Sequence, residues 1–290
     1  MVTVPGRDRL DRQRRPGGLL PAGAVAGTEP SASRGPVIVL TYAHSGDELL
    51  RHTLGASRSL ACTDGTGLLP LCQAAISTWT QVENRGQAPS ALALKSVRTL
   101  VSTMATVIQS GSGATRWCET AFAGLAAAET FLQIFPEAAF LCLHRSLQAV
   151  IAEAIRAYPW GLGGSPFWPY AAVHPGSNVA TIAAYWTAHT EQILEFEAAH
   201  APSCLRIRHE DLAAGTRAQA AEIFARLGLD GRDLIAPGQT STTRPGDPAG
   251  QDDGDGIGPV AQPPLGQVPP QLLARVRELH TRLGFEPLPP

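Results

Sequence analysis

Lysine is nearly absent from this 290-residue chain: Lys95 is the only one, and arginine carries almost all of the positive charge. With 23 Lys and Arg against 25 Asp and Glu, the formal net charge is −2, which offers no electrostatic footprint for a nucleic-acid partner. The five cysteines (Cys62, Cys72, Cys118, Cys142, Cys204) are odd in number and lack the spacing of a zinc site. They read as reduced, buried thiols of a cytoplasmic protein. No apolar run approaches the roughly 20 residues that span a bilayer, so no membrane contact is expected. Residues 1–35 lack hydrophobic pattern as well: Arg7, Arg9, Arg12, Arg14 and Arg15 precede a Gly, Pro and Ala stretch, and a disordered basic tail is the expectation. Residues 36–290 are long enough to bury one full core as a single domain.

What is present begins with Pro36-Val-Ile-Val-Leu-Thr-Tyr42, an apolar, β-branched run of the kind that forms a buried strand. It breaks at a Ser-Gly turn and passes directly into the helical spacing of Leu49 to Leu54. A strand, a tight small-residue turn and a helix N-terminus make an anion cradle, because free backbone N–H groups point at the turn. This cradle nevertheless carries His44, Asp47 and Glu48 and no lysine. Further along, helices are expected over Leu68–Thr80, Ala91–Gln109, Gly124–Phe135, Leu147–Ala157, Val179–His200, Arg217–Leu227 and Pro270–Leu283. Strands are expected at Ala139–His144 and Cys204–Arg208, and Trp117–Thr120 is a short strand or loop. Gly246–Gln267 reads as a long Gly, Pro and Asp loop. Alternating strands and helices imply an α/β fold with a parallel sheet covered on both faces. Sites in such sheets lie at the carboxyl ends of the strands, which places His44 to Glu48, Arg145 and His209 to Asp211 on one edge.

Six short segments occur in order: Arg116-Trp-Cys-Glu-Thr120, Phe135-Pro-Glu-Ala-Ala-Phe140, Leu143-His-Arg145, Tyr158-Pro-Trp-Gly-Leu162, Tyr185-Trp186 and Leu205-Arg-Ile-Arg-His-Glu-Asp-Leu212. Together they resemble the bacterial sulfotransferases that use 3′-phosphoadenosine-5′-phosphosulfate (PAPS), over roughly Pro36 to Phe285. The resemblance implies a P-loop-like three-layer sandwich, a central parallel sheet flanked by helices. It also implies donor-binding roles for His44, Ser45, Gly46 and Arg145.

The departures fall on those same positions. The family's turn reads aromatic-Pro-Lys/Arg-Ser-Gly-Thr-Thr; here Tyr42, Ser45 and Gly46 match, the basic residue is His44, and the two threonines are Asp47 and Glu48. The family's 3′-phosphate pair is an arginine and a serine eight residues on; Arg145 matches, but the second position is Glu153. A lysine that often follows the glutamate of the Arg-Trp-x-Glu segment is Thr120, and the late Gly-Arg-Gly-type segment resembles Gly256-Ile-Gly-Pro259 without its arginine. A carboxylate about 4 Å from a phosphate charge costs on the order of 4 kcal/mol at an effective dielectric of 20. Asp47 and Glu48 have an alternative role in a helix's first turn, where the dipole favours acids.

Glu119 falls where the resembled family branch tends to place a glutamate near the acceptor, which makes it the leading candidate for a general base, with a carboxylate whose pKa a dry pocket would raise. His44 is a candidate base, acid or anion contact, or simply a turn residue bonded to backbone. Asp47 and Glu153 are further proton-transfer candidates, and Glu153 is the natural partner for Arg145 if no donor binds. Tyr158, Trp160, Phe167, Trp168 and Tyr170, with His174, lie in a Gly/Pro-rich segment, about 158–177, too long for a simple connector; they are candidates for a lid over a ring-bearing small molecule, or for a loop anchored by buried rings. Arg208 is a modest ligand candidate beside structural ion pairs, His189 a packed or surface-bonded residue, and His52, His200 and His280 helix-surface residues.

Two functions of different class follow, with a third behind them. One is a sulfotransferase-fold enzyme of small-molecule, secondary metabolism that has exchanged sulfuryl transfer for acid/base chemistry such as cyclisation or elimination, and so needs no cofactor. The other is a PAPS-dependent sulfotransferase acting on a small-molecule hydroxyl. The third is a non-catalytic binding protein on the same scaffold.

Overall fold

Five short strands build the centre: β1 (Val37–Leu40), β2 (Leu60–Asp64), β3 (Arg116–Ala121), β4 (Ala139–His144) and β5 (Cys204–Arg208). All pairings are parallel, in the order β2-β3-β1-β4-β5, with Ile38 opposite Glu119 and Phe140, and Leu40 opposite Ala121 and Cys142. The structure is a computed structural model describing residues 35–83, 88–121, 124–229 and 265–288. The proposed basic tail before Gly35, most of the 246–267 loop and Gly256–Pro259 lie outside the described residues.

The central strands β1 and β4 are nearly continuous apolar runs because both their faces are covered. Ile38 and Leu40 of β1 pack under one helical layer, Val37 and Val39 under the other. The first layer comprises α2 (Leu68–Val82), α3 (Ala91–Ser110), α4 (Leu125–Ile134), α5 (Leu147–Ala157), α7 (Asn178–Ala199) and α10 (Pro270–Leu283). The second comprises α1 (Asp47–Gly55), α8 (His209–Ala214) and α9 (Thr216–Leu227), which deliver Leu50, Leu54, Leu212, Ile223 and Phe224. This is the expected three-layer α/β sandwich.

Several expectations need settling or correction. Of the two readings of Trp117–Thr120, strand or loop, the strand holds: it is the heart of β3, buried along its whole length. β2 was not foreseen: Leu-Ala-Cys-Thr-Asp is short and half polar, as an edge strand tolerates. α3 has the length and apolar composition to cross a bilayer, contrary to the reading that no run does; its inner residues Ala93, Val97, Val101 and Ala105 are packed into the core. His280 is not a helix-surface residue but is buried, its ring against Trp186 and Phe285. All five cysteines are free; Cys72, Cys118 and Cys142 are buried, Cys62 and Cys204 half-buried.

Candidate functional site

The turn after β1 is built tightly. Tyr42 is buried, and its hydroxyl donates to Arg145 O at 3.0 Å while accepting from Arg145 N at 2.9 Å, which locks the ends of β1 and β4 together. Ala43 N donates to the Tyr185 hydroxyl at 2.9 Å and Ser45 N to Tyr42 O at 3.1 Å, so two N–H groups of the cradle are consumed internally. The Thr41 and Ser45 hydroxyls bond each other. His44 adopts a left-handed φ of 60° and Gly46 one of 83°. Only glycine fits at 46, because a Cβ there would run into the His209 ring as well as the backbone strain. Asp47 and Glu48 occupy the first turn of α1, where the dipole favours acids; Glu48 is exposed, 4.0 Å from Arg51, and Asp47 is half-buried.

Against this turn stands a charged triad. Glu153, on α5, reaches back to Arg145, whose Nη1 donates to its Oε2 and also to His44 O at 3.0 Å. Glu153 Oε1 lies 3.4 Å from His44 Nδ1. Burial pushes the Glu153 carboxyl upward, but the hydrogen bond from His44 and the Arg145 charge outweigh it and bring the group down to about 2. The carboxylate meets the imidazole at Nδ1, leaving Nε2 as the ring's other nitrogen. The His44 ring stacks on Phe167 at 5.7 Å and meets Tyr158 edge-on at 5.8 Å.

The aromatic segment 158–177 divides. Phe167 is fully buried, and Tyr158 and Tyr170 pack inward, Tyr170 on Tyr185. Trp160 is 99% exposed, and Trp168, which opens the single turn α6 (Trp168–Ala171), also faces outward. His174 O accepts from Ser177 N and Thr181 Oγ1, a loop-closing role for its backbone. Phe167 and Tyr158 therefore wall the His44 ring, Tyr170 packs on Tyr185, and Trp160 and Trp168 face solvent.

Glu119 is two strands from Arg145 and sits in a different setting. Its Oε1 accepts from Leu68 N at 3.3 Å, so a β3 carboxylate caps α2, whose own N-cap Gly67 has no side chain to do so. Its Oε2 is buried without a hydrogen-bond partner among the described residues. The group lines a cavity of ≈ 210 Å³ with Gly65, Gly67, Gln73, Gly124 and Ala127. Burial raises its pKa, opposed by hydrogen bonds from Thr66, Gly67 and Leu68. Contacts join His44, Arg145 and Glu153; Glu119 keeps its own pocket on the neighbouring strand.

Other candidates take structural places. Arg208 is held by Asp211 at 2.7 Å and by Gly284 O, with its guanidinium over Phe285. His189 packs on Tyr185 with ring centroids 4.2 Å apart, and burial lowers its pKa. His200 lies against Phe196, and His52 is exposed. Two roles went unforeseen. His209 covers Gly46 from the β5 end, a proximity no local pattern signals. Glu210 accepts from Ser146 N at 2.8 Å and caps α5 beside the buried His280, which receives Leu147 N at 3.3 Å. His280 had a readable signal: it shares a helical stripe with Val276 and Leu283.

Solved structures of the same fold are found. The sulfotransferase domain from the curacin biosynthetic pathway is 14% identical, with a TM-score of 0.56 over 88% of this chain and 99% of that one. The sulfotransferase domain from the Synechococcus PCC 7002 olefin synthase is 20% identical, with a TM-score of 0.52 over 88% and 97%. A sulfotransferase from Alicyclobacillus acidocaldarius is 12% identical, with a TM-score of 0.51 over 87% and 97%. At these identities the likeness is one of fold. No curated protein matches the chain. The sulfotransferase family's sequence model, however, matches residues 36–233, more than half of the 290 residues, and the chain belongs to that family.

Proposed function

We propose that this chain is a sulfotransferase-fold enzyme of small-molecule metabolism in which the donor site now performs acid/base chemistry. The observation that carries the reading is Glu153. It stands where the family's pattern has a serine, and its carboxylate occupies the guanidinium that a 3′-phosphate would need. A carboxylate held down to about 2 is ionised at neutral pH and opposes a phosphate by on the order of 4 kcal/mol at about 4 Å. The cradle's Ala43 and Ser45 N–H groups are already used, and the basic position is a histidine tied to that same carboxylate. PAPS therefore fits this set of residues poorly.

In the proposed chemistry Glu153 holds the Nδ1 proton of His44, Arg145 fixes Glu153, and Nε2 takes a proton from the substrate. Phe167 and Tyr158 limit water around the ring. Glu119, with a raised pKa and one oxygen on its cavity, is the second proton-transfer group. Two carboxyls pushed in opposite directions by their surroundings are a recurrent basis for dividing acid and base roles. Cyclisation or elimination of a small molecule fits such a pair, and a cytoplasmic location suits the free thiols. The natural-product settings in the names of two structural relatives agree with this class of substrate.

The second reading, a PAPS-dependent sulfotransferase acting on a hydroxyl, is favoured by the retained Ser45, Gly46 and Arg145 at the carboxyl edge of the sheet. Calorimetry with adenosine-3′,5′-bisphosphate separates the two. No binding at millimolar nucleotide is expected; low-micromolar binding overturns the acid/base reading.

A further inference from the structure

The layer of α2 and α3 carries a feature that the proposed chemistry leaves unused. α2 has no charged residue, and α3 has only Lys95 and Arg98, with Arg98 engaged by Glu137 and the Phe135 ring. Soluble surfaces carry charge on roughly a quarter to a third of their residues. α3 is anchored by Ala93, Val97, Val101 and Ala105, and beside that buried row runs a second ridge: Leu92, Ser96, Leu100, Met104 and, a turn on, Val107. Its apolar members are uncovered, with Leu92 63%, Leu100 50%, Met104 38% and Val107 70% exposed.

The ridge is complementary to itself. Reversed about Leu100, the small Ser96 falls opposite the large Met104, Leu100 opposite its own copy, and Leu92 opposite position 108, one residue beyond the exposed Val107. We propose that this ridge is the contact surface of a two-fold dimer, α3 packing antiparallel on α3 of a second copy with Leu100 at the axis. No acid or base lies in the ridge, so the pairing opposes no like charges. An anionic bilayer surface is met instead by helices with a Lys/Arg-rich face and aromatic anchors; α3 has no aromatic residue, and one of its two cations is held by Glu137. A 20-residue helix is about 30 Å long, and with α2 beside it the footprint is about 600 Å². That is close to the roughly 800 Å² per partner of a standard interface.

The test is sedimentation velocity of the full chain over a range of concentrations. A dimer at low micromolar concentration is expected, and Leu100→Arg, which sets two guanidinium groups on the axis, should weaken it at least about tenfold with an unchanged circular dichroism spectrum. Cross-linking with a bis-maleimide, measured against the wild-type background, gives an independent readout. Leu100→Cys should join two copies by itself, whereas Leu92→Cys should do so only when mixed with Val107→Cys. A monomer at a hundred times the working concentration, or a dimer indifferent to Leu100→Arg, overturns the proposal. So does Leu92→Cys cross-linking alone as readily as Leu100→Cys, and so does a monomer that sediments with phosphatidylglycerol vesicles, which would assign the ridge to a membrane.

Discussion

Two His–Glu–Arg constellations meet at the end of β4, and they differ in what their surroundings allow. His144, the last residue of the strand, is fully buried and lies 2.9 Å from Glu197, which Arg206 holds from β5 at 2.8 Å. Its Nδ1 has no partner among the described residues. Arg145, one residue later, belongs to the other set, with Glu153 and a half-buried His44. In both, burial pushes the carboxyl pKa up and the His and Arg partners bring it back below the ordinary value. The chemistry of the groups is the same; access is not. The inner set ties α7 to β4 and β5, and the outer one offers an imidazole edge beside a wall of rings.

That contrast can be tested from its largest consequence downward. Glu119 presents a buried oxygen with no hydrogen-bond partner among the described residues beside its own cavity, and Glu119→Gln should lower turnover of any substrate of the enzyme by about 10² to 10⁴ with little change in melting temperature. Undiminished turnover would remove Glu119 from the chemistry. Glu197→Ala leaves the buried His144 without its partner, while Arg206 is exposed and can turn to solvent, and should cost about 1–3 kcal/mol of stability, read by urea unfolding. Gly46→Ala meets both the His209 ring and an unfavourable φ and should cost about 1–3 kcal/mol. Glu153→Ala should cost only about 1 kcal/mol at neutral pH, because the pair is partly screened by solvent. If Glu153→Ala proves as damaging as Glu197→Ala, the distinction between the two sets fails.

Glu153 also makes a pH claim with a definite sign. Its folded pKa of about 2 is depressed below an unfolded value of about 4.3. Its stabilisation is therefore present above that unfolded value and lost as pH falls towards the folded one. Acid titration of stability should be shallower in Glu153→Ala over that interval.

Much of the scaffold was legible because β1 and β4 are apolar on both faces and most of the long helices carry clear stripes. β2 was hidden by its polar residues and edge position, and α8 by its length of six residues. At the site, Arg145 and Glu153 are eight positions apart, and only the spacing of a known motif suggested that they meet. The capping of α2 by Glu119 and the cover of Gly46 by His209 depend on chain crossings that no local pattern records. The division of the aromatic segment likewise depends on which rings find room beside Tyr185 and His44.

The central claim is that Glu153 has taken the place of a phosphate on Arg145. Calorimetric titration of adenosine-3′,5′-bisphosphate into the wild type and Glu153→Ser tests it most directly. No heat of binding from the wild type and measurable affinity in the serine variant, which frees the guanidinium, is the predicted result. Low-micromolar binding by the wild type, unchanged in the variant, would contradict it.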